Sequence, residues 1–267
     1  MSRRLRAIAA GTMAIVARGQ YQAESGAVVD IATAVRSAVA GTHLYPPDQP
    51  LPAAGSVNPR PIVEVTNEST LAAARRLGEP VAALVFASAR NPGGGFRTGA
   101  RAQEEDIARA SALYACLTTV PTFYEHHRAD RDPRYSDRVI YTPEVPVFRD
   151  DTGRLLHHPY HVTMLTAAAP NLRALTDQQL KLVATVPSAL RARAHRILAV
   201  AAAHGHRRLV LGAWGCGVFG NDPTTVAAAF TAALHECNHF DHIVFAVLDR
   251  APATPTYRAF TDQWKAT

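Results

Sequence analysis

The sequence has little of what would force an unusual class of chain. Three cysteines in 267 residues, Cys116, Cys216 and Cys237, are too few and too scattered for a disulfide framework or a cysteine-built zinc site. A reduced, cytoplasmic setting is therefore expected. No stretch approaches the ~20 consecutive apolar residues of a membrane span, so no membrane contact is expected. Glycine (16) and proline (18) hold an ordinary share, which excludes collagen-like and low-complexity sequence. Charged residues are sparse at 19%, against 48% apolar, the reverse of a disordered composition. No internal repeat is visible. What remains is a chain long enough for one large buried core, with a mild formal charge of +6 that permits a polyanionic partner without naming one.

The amino terminus, Met1–Gly19, carries Arg3-Arg4 and an Ala-rich run that invite a targeting reading. Leu5, Ile8, Ala9, Met13 and Val16 nevertheless form one stripe of an amphipathic helix, and a retained helix is expected. Beyond it, Val28–Ile31 reads as a strand, Ala32–Ala40 as a helix, and proline-rich Tyr45–Pro61 as a loop. An alternating pattern follows: strand Ile62–Thr66, helix Thr70–Leu77, strand Val81–Ala87, helix Gln103–Leu117, strands Val139–Phe148 and His161–Ala167, helix Ser188–His204, strand Arg208–Leu211, helix Pro223–His235 and strand His242–Leu248. Charge-mixed Arg128–Arg138 reads as a solvated excursion. Such alternation predicts a three-layer α/β domain around a largely parallel sheet. The expected layout is one structural unit, residues 1–60 forming a helical extension packed on a core of residues 61–267. Ligands of such sheets bind beyond the strand carboxyl ends.

Two loops have that placement. In the first, Asn91-Pro92-Gly93-Gly94-Gly95 joins a strand to a helix headed by Gln103-Glu104-Glu105-Asp106. Three successive glycines let backbone approach a bulky ligand, and acids in a first helical turn complement the helix dipole. Glu104 and Glu105 point ~100° apart, so they cannot oppose each other across one small target as paired glycosidase carboxylates do. One Glu would then serve as both acid and base while the other positions substrate. The second loop is Gly212-Ala213-Trp214-Gly215-Cys216-Gly217-Val218-Phe219-Gly220. Its Gly215-x-Gly217-x-x-Gly220 spacing matches a dinucleotide fingerprint, but only one strand fits before the chain ends. No Lys-Ser/Thr follows, so a nucleotide-triphosphatase loop is excluded. The shared physics is glycine-exposed amides at a helix amino terminus, a cradle for anions.

The three glycines, seven intervening residues and Gln103-Glu104-Glu105 resemble the signature of bacterial-type poly(ADP-ribose) glycohydrolases (PARG), members of the macrodomain superfamily. The second loop resembles a macrodomain diphosphate-binding loop, and the resemblance implies a macrodomain-like three-layer α/β/α sandwich with a mixed central sheet and an amino-terminal helical extension. The resemblance implies hydrolysis of ribose–ribose O-glycosidic bonds in poly(ADP-ribose), releasing ADP-ribose from chain ends. Glu105 would be the acid/base and Glu104 would hold substrate. Gly93, Gly94 and Gly95 would let backbone near the diphosphate and ribose, with Asn91 and Gln103 as supporting hydrogen-bond groups. Gly215, Cys216 and Gly217 would cradle the diphosphate, and Val218 and Phe219 would line the ribose. Glu68, after the strand Ile62–Thr66, is a candidate for the adenine amino group. No metal and no organic cofactor is implied. The partners are poly(ADP-ribose), ADP-ribose and ADP-ribosylated proteins, acted on by a monomer without direct DNA binding. A non-catalytic ADP-ribose-binding macrodomain and a mono-ADP-ribosyl-protein hydrolase remain as alternatives. His235-Glu236-Cys237-Asn238-His239 spells a zinc-protease motif, but the helix is expected to end before His239 shares its face.

Overall fold

The computed structural model describes residues 2–52 and 61–265. In chain order the elements are α1 (Arg3–Arg18), β1 (Gln20–Gln22), β2 (Val28–Asp30), α2 (Ala32–Ala40), β3 (His43–Tyr45), β4 (Ile62–Thr66), α3 (Thr70–Leu77), β5 (Ala82–Phe86) and α4 (Gln103–Ala110). They continue with α5 (Leu113–Leu117), α6 (Pro121–Ala129), β6 (Val139–Arg149), β7 (Leu155–Ala167), α7 (Val186–Ala203), β8 (Arg208–Leu211), α8 (Pro223–Glu236), β9 (His242–Ala246) and α9 (Pro255–Lys265). Part of the expected Tyr45–Pro61 loop, and the expected domain boundary at residue 60, lie outside the described residues.

Seven strands form one sheet in the order β3-β6-β7-β5-β8-β9-β4. β7, β5, β8, β9 and β4 run parallel, while β3 and β6 are antiparallel to their neighbours. Alternating residues of each central strand enter two different cores, as a strand's period of two requires. Ala83 and Val85 of β5, Val210 of β8 and Val244 of β9 join the core under α2–α6. Ala82, Leu84, Leu209, Leu211, Ile243 and Phe245 join the core under α7–α9. The result is the three-layer sandwich expected from the alternation.

Several local expectations shift. The single helix expected over Gln103–Leu117 is two helices, because Ser111 takes extended backbone and bridges Val147 of β6. β3 pairs only with Val139–Tyr141, so this stretch of β6 beyond it is free to accept Ser111. β7 starts at Leu155 instead of His161, extending the hairpin with β6. α6, α9, β1 and β3 were not expected. β3 makes residues within the first sixty an edge strand of the main sheet, and α1 docks through Ser2 N–H on the Gly99 carbonyl at 3.3 Å. No helix among the described residues is long and apolar enough to cross a membrane.

Candidate active site

Because β5, β8, β9 and β4 are parallel neighbours, the loops after them open on the same sheet edge. They surround a cavity of about 1150 Å³ whose walls include Glu68, Asn91, Gly94, Gly95, the first turn of α4 and the whole run from Ala213 to Phe219. A cavity of that size is ample for a nucleotide-like ligand.

The first loop is organised around the two carboxylates. Glu104 is 2% exposed; its Oε2 accepts from Ser88 N–H at 2.6 Å and its Oε1 from Gly93 N–H at 3.1 Å. Burial raises its carboxyl well above the usual range, and the neighbouring Glu105 charge adds to this, while the two amides pull the other way. Glu105 is half-buried and its Oε1 accepts from Gly95 N–H at 2.9 Å. Gly94 N–H donates to the Asn91 carbonyl at 3.0 Å, so all three glycine amides are engaged within the protein. Gly94 has φ +56°, and a Cβ there would overlap the Glu105 carboxylate. Glycine is required at this position because the acid occupies the space a side chain would take.

Gln103 fixes the angle of α4. Its Oε1 accepts from Phe86 N–H at 2.8 Å, and its Nε2 donates to the Leu84 carbonyl at 2.7 Å and Thr70 Oγ1 at 3.1 Å. That amide is spent on β5 and α3, so Gln103 reaches the site by holding the helix that carries Glu104 and Glu105.

In the second loop the amides of Gly217, Val218 and Phe219 donate to no group among the described residues. The turn is held from behind: Asn221 Nδ2 donates to the Pro170 carbonyl at 2.7 Å and the Gly215 carbonyl at 3.1 Å. Trp214 Nε1 donates to the Ala167 carbonyl at 2.9 Å. Val218 is 70% exposed at the rim. Burial pushes the Cys216 thiol up to about 12, so it is no thiolate at neutral pH, and its Sγ donates to the Trp214 carbonyl at 3.8 Å.

Glu68 lines the cavity, but its Oε1 is paired with Arg76 Nη2 at 2.8 Å. Sequence reasoning missed the wall beyond it. There Asn67 and Asp249 exchange hydrogen bonds of 3.1 and 2.9 Å, and Asp249 accepts from Thr256 and Tyr257 N–H at the start of α9. An Asp shortly before a proline-led helix start was the signal available for it. α1 also contributes Arg4, Leu5 and Ile8 to the cavity. The zinc-protease spelling has no helical geometry: α8 ends at Glu236, Cys237 is extended, His235 is exposed and His239 is buried past the helix.

These features coincide with known proteins over most of the chain. A sequence model described as the catalytic domain of microbial-type PARG matches residues 9–150. A search of curated protein sequences finds no match. The solved poly(ADP-ribose) glycohydrolase of Thermomonospora curvata is 53% identical, with 98% of this chain and 100% of that one covered and a TM-score of 0.92. A structure of the Thermomonospora curvata enzyme bound to the inhibitor ADP-HPD matches at 52% identity over the same shares, with a TM-score of 0.90. The Deinococcus radiodurans glycohydrolase in complex with ADP-ribose is 42% identical over 87% of this chain and 97% of that one, with a TM-score of 0.80. With more than half of the chain matched by the family's sequence model and a relative 53% identical across nearly all of it, this chain belongs to the microbial-type poly(ADP-ribose) glycohydrolases.

Proposed function

We propose that this protein hydrolyses the ribose–ribose O-glycosidic bonds of poly(ADP-ribose) and releases ADP-ribose. The observation that carries this reading is the pair of adjacent carboxylates, each held by amides of the first glycine loop, facing a cavity shared with three uncommitted amides of the second. Those amides suit a diphosphate, since successive backbone N–H groups form an anion-binding concavity.

In this reading the ribose to be cleaved lies against Phe219 with its anomeric carbon near Glu105. Gly95 N–H holds Oε1, which leaves Oε2 to face the scissile bond. A protonated Glu105 gives its proton to the leaving ribose oxygen as an oxocarbenium-like centre develops, then takes a proton from the attacking water. Glu104 has two of its roughly four acceptor directions filled by amides and keeps the others for a ribose hydroxyl. Raising its pKa favours the neutral form, which lessens repulsion toward the incoming diphosphate. Glu68 would meet the adenine with the oxygen that Arg76 leaves free.

The test mixes the protein with poly(ADP-ribose) and, separately, with mono-ADP-ribosylated protein, in chelator, and follows free ADP-ribose. The expectation is polymer breakdown to monomeric ADP-ribose by the wild type. Glu105→Gln should lose at least about a thousandfold in rate while still binding ADP-ribose. Full activity in that variant removes Glu105 from the mechanism. Turnover of the mono-modified protein alone would overturn the polymer reading, and binding without turnover would make the chain a reader. Early release of oligomers instead of monomers would overturn chain-end action.

A further inference from the structure

Residues Arg128–Arg138, expected to be a solvated excursion, are anchored from beneath by buried groups. Arg193 of α7 is 1% exposed; its Nη1 donates to the Arg134 carbonyl at 2.9 Å and the Ala168 carbonyl at 2.5 Å, and its Nε pairs with Asp137 at 2.8 Å. His127 is fully buried, and its Nε2 lies 2.7 Å from Ser136 Oγ and accepts from Ser136 N–H at 3.3 Å. The residue clamped between these anchors, Tyr135, has φ +60°, where a non-glycine residue is strained. Such conformations persist only where their surroundings over-determine them, and they concentrate at functional sites.

The Tyr135 ring lies between two others, 5.5 Å from the His127 ring and 6.0 Å from the Phe219 ring. The same brace also grips the Phe219 backbone. Asn171 N–H donates to the Pro133 carbonyl at 2.8 Å and Asn171 Nδ2 to Tyr135 Oη at 3.4 Å; the next two amides, Leu172 and Arg173, donate to the Phe219 carbonyl at 2.9 and 3.3 Å. Phe219 is thus held at its carbonyl and at its ring by one connected unit. Tyr135 itself is not part of the cavity wall, whereas Phe219 is.

We propose that Tyr135 is a positioning residue for the hydrolysis: its strained backbone aims its ring at Phe219 and so sets the angle at which Phe219 meets the ribose. This rests on the reading of Phe219 as the ribose wall. Removing the ring leaves the diphosphate cradle in place and loosens only the orientation of the reacting sugar. The chemical step should suffer more than binding, since small misplacements of reacting groups are costly in rate.

The experiment measures kcat on poly(ADP-ribose), the ADP-ribose dissociation constant and the unfolding temperature. The variants are Tyr135→Gly, Tyr135→Asn and Tyr135→Phe, each in wild-type and Phe219→Ala backgrounds. Gly and Asn both tolerate positive φ, so the loop conformation is kept while the ring is lost. Both should lose about tenfold in kcat, with the dissociation constant changed less than threefold and the unfolding temperature within a few degrees of wild type. Tyr135→Phe should stay within twofold. In the Phe219→Ala background the Gly and Asn changes should add less than twofold, because the group they act through is gone. Equal tenfold losses in both backgrounds, or wild-type kcat in both ring-less variants, would overturn the proposal. Wild-type kcat in Phe219→Ala alone would overturn the ribose-wall reading and the proposal with it. A wild type that releases no ADP-ribose would instead overturn the functional reading.

Discussion

The two glycine loops leave neighbouring parallel strands and border one cavity, yet they use their amides in opposite ways. In the first, Ser88, Gly93 and Gly95 donate to the carboxylates of Glu104 and Glu105. In the second, Gly217, Val218 and Phe219 keep their amides uncommitted among the described residues, and the turn is tied down from behind by Asn221 and Trp214. Both turns gather backbone N–H groups, but those of the first are taken up by the protein's own carboxyls, whereas those of the second face the cavity with no acceptor among the described residues. Glycine-rich sequence therefore marks two different arrangements here: space cleared for the protein's own acids, and backbone amides left open to the cavity.

The division can be broken at single glycines. The largest effect should come from Gly94→Ala. Alanine at φ +56° costs about 1–2 kcal/mol, and its Cβ would displace the Glu105 carboxylate from the Gly95 amide. kcat on poly(ADP-ribose) should fall about 100-fold while ADP-ribose affinity, read by calorimetry, moves less than about threefold. A weakened affinity with kcat preserved would mean that the first loop serves the ligand after all. Gly215→Ala should do the reverse. At φ +73° its Cβ would lie 2.5 Å from Ala169 Cβ and 2.6 Å from Asn221 Nδ2, so the turn presenting the free amides must shift. ADP-ribose binding should weaken about tenfold, equivalent to ~1.4 kcal/mol, with kcat at saturation within about threefold.

The layers were legible because apolar residues fill both faces of β5, β8 and β9, and because Ser69 caps α3 where the helix was expected to begin. The site was legible as composition: three glycines beside two acids, and a second glycine run after a strand. What each amide does was not legible, since hydrogen-bond direction depends on how α4 is angled, and Gln103 sets that angle by bonding β5 seventeen and nineteen residues away. Tyr135 was invisible for a different reason. A residue with φ +60° is normally announced by Gly or Asn, and here its neighbours Arg134, Ser136 and Asp137 are held by buried Arg193 and His127, of which the arginine belongs to a residue type found mostly on the surface. The break at Ser111 likewise depends on the reach of β3 along β6, a tertiary fact with no local signal.

The smallest expected effect concerns stability, and it separates the loops by pH. Glu104 has a folded pKa raised above its unfolded value of about 4.3, chiefly by burial. Above pH ~4.3 the unfolded chain releases this proton while the native state still holds it, so the native state binds more protons and loses stability as pH rises toward the raised pKa. The second loop has no counterpart, since Cys216 is held up to about 12 and does not titrate in this range. His127 and His206, whose burial lowers them to about 4, act oppositely: the unfolded chain protonates them below pH ~6.5, and stability falls as pH drops toward 4. Comparing wild type with Glu104→Gln cancels the histidines. Gln loses one good acceptor for an amide, a constant penalty of about 1 kcal/mol, but it does not titrate. The unfolding free energy of Glu104→Gln minus that of wild type should therefore start negative at pH 4.5 and climb as pH rises, levelling once the native Glu104 carboxyl itself ionises. A difference that stays flat from pH 5 upward would mean that Glu104 ionises at its ordinary pH and that its two amides outweigh its burial.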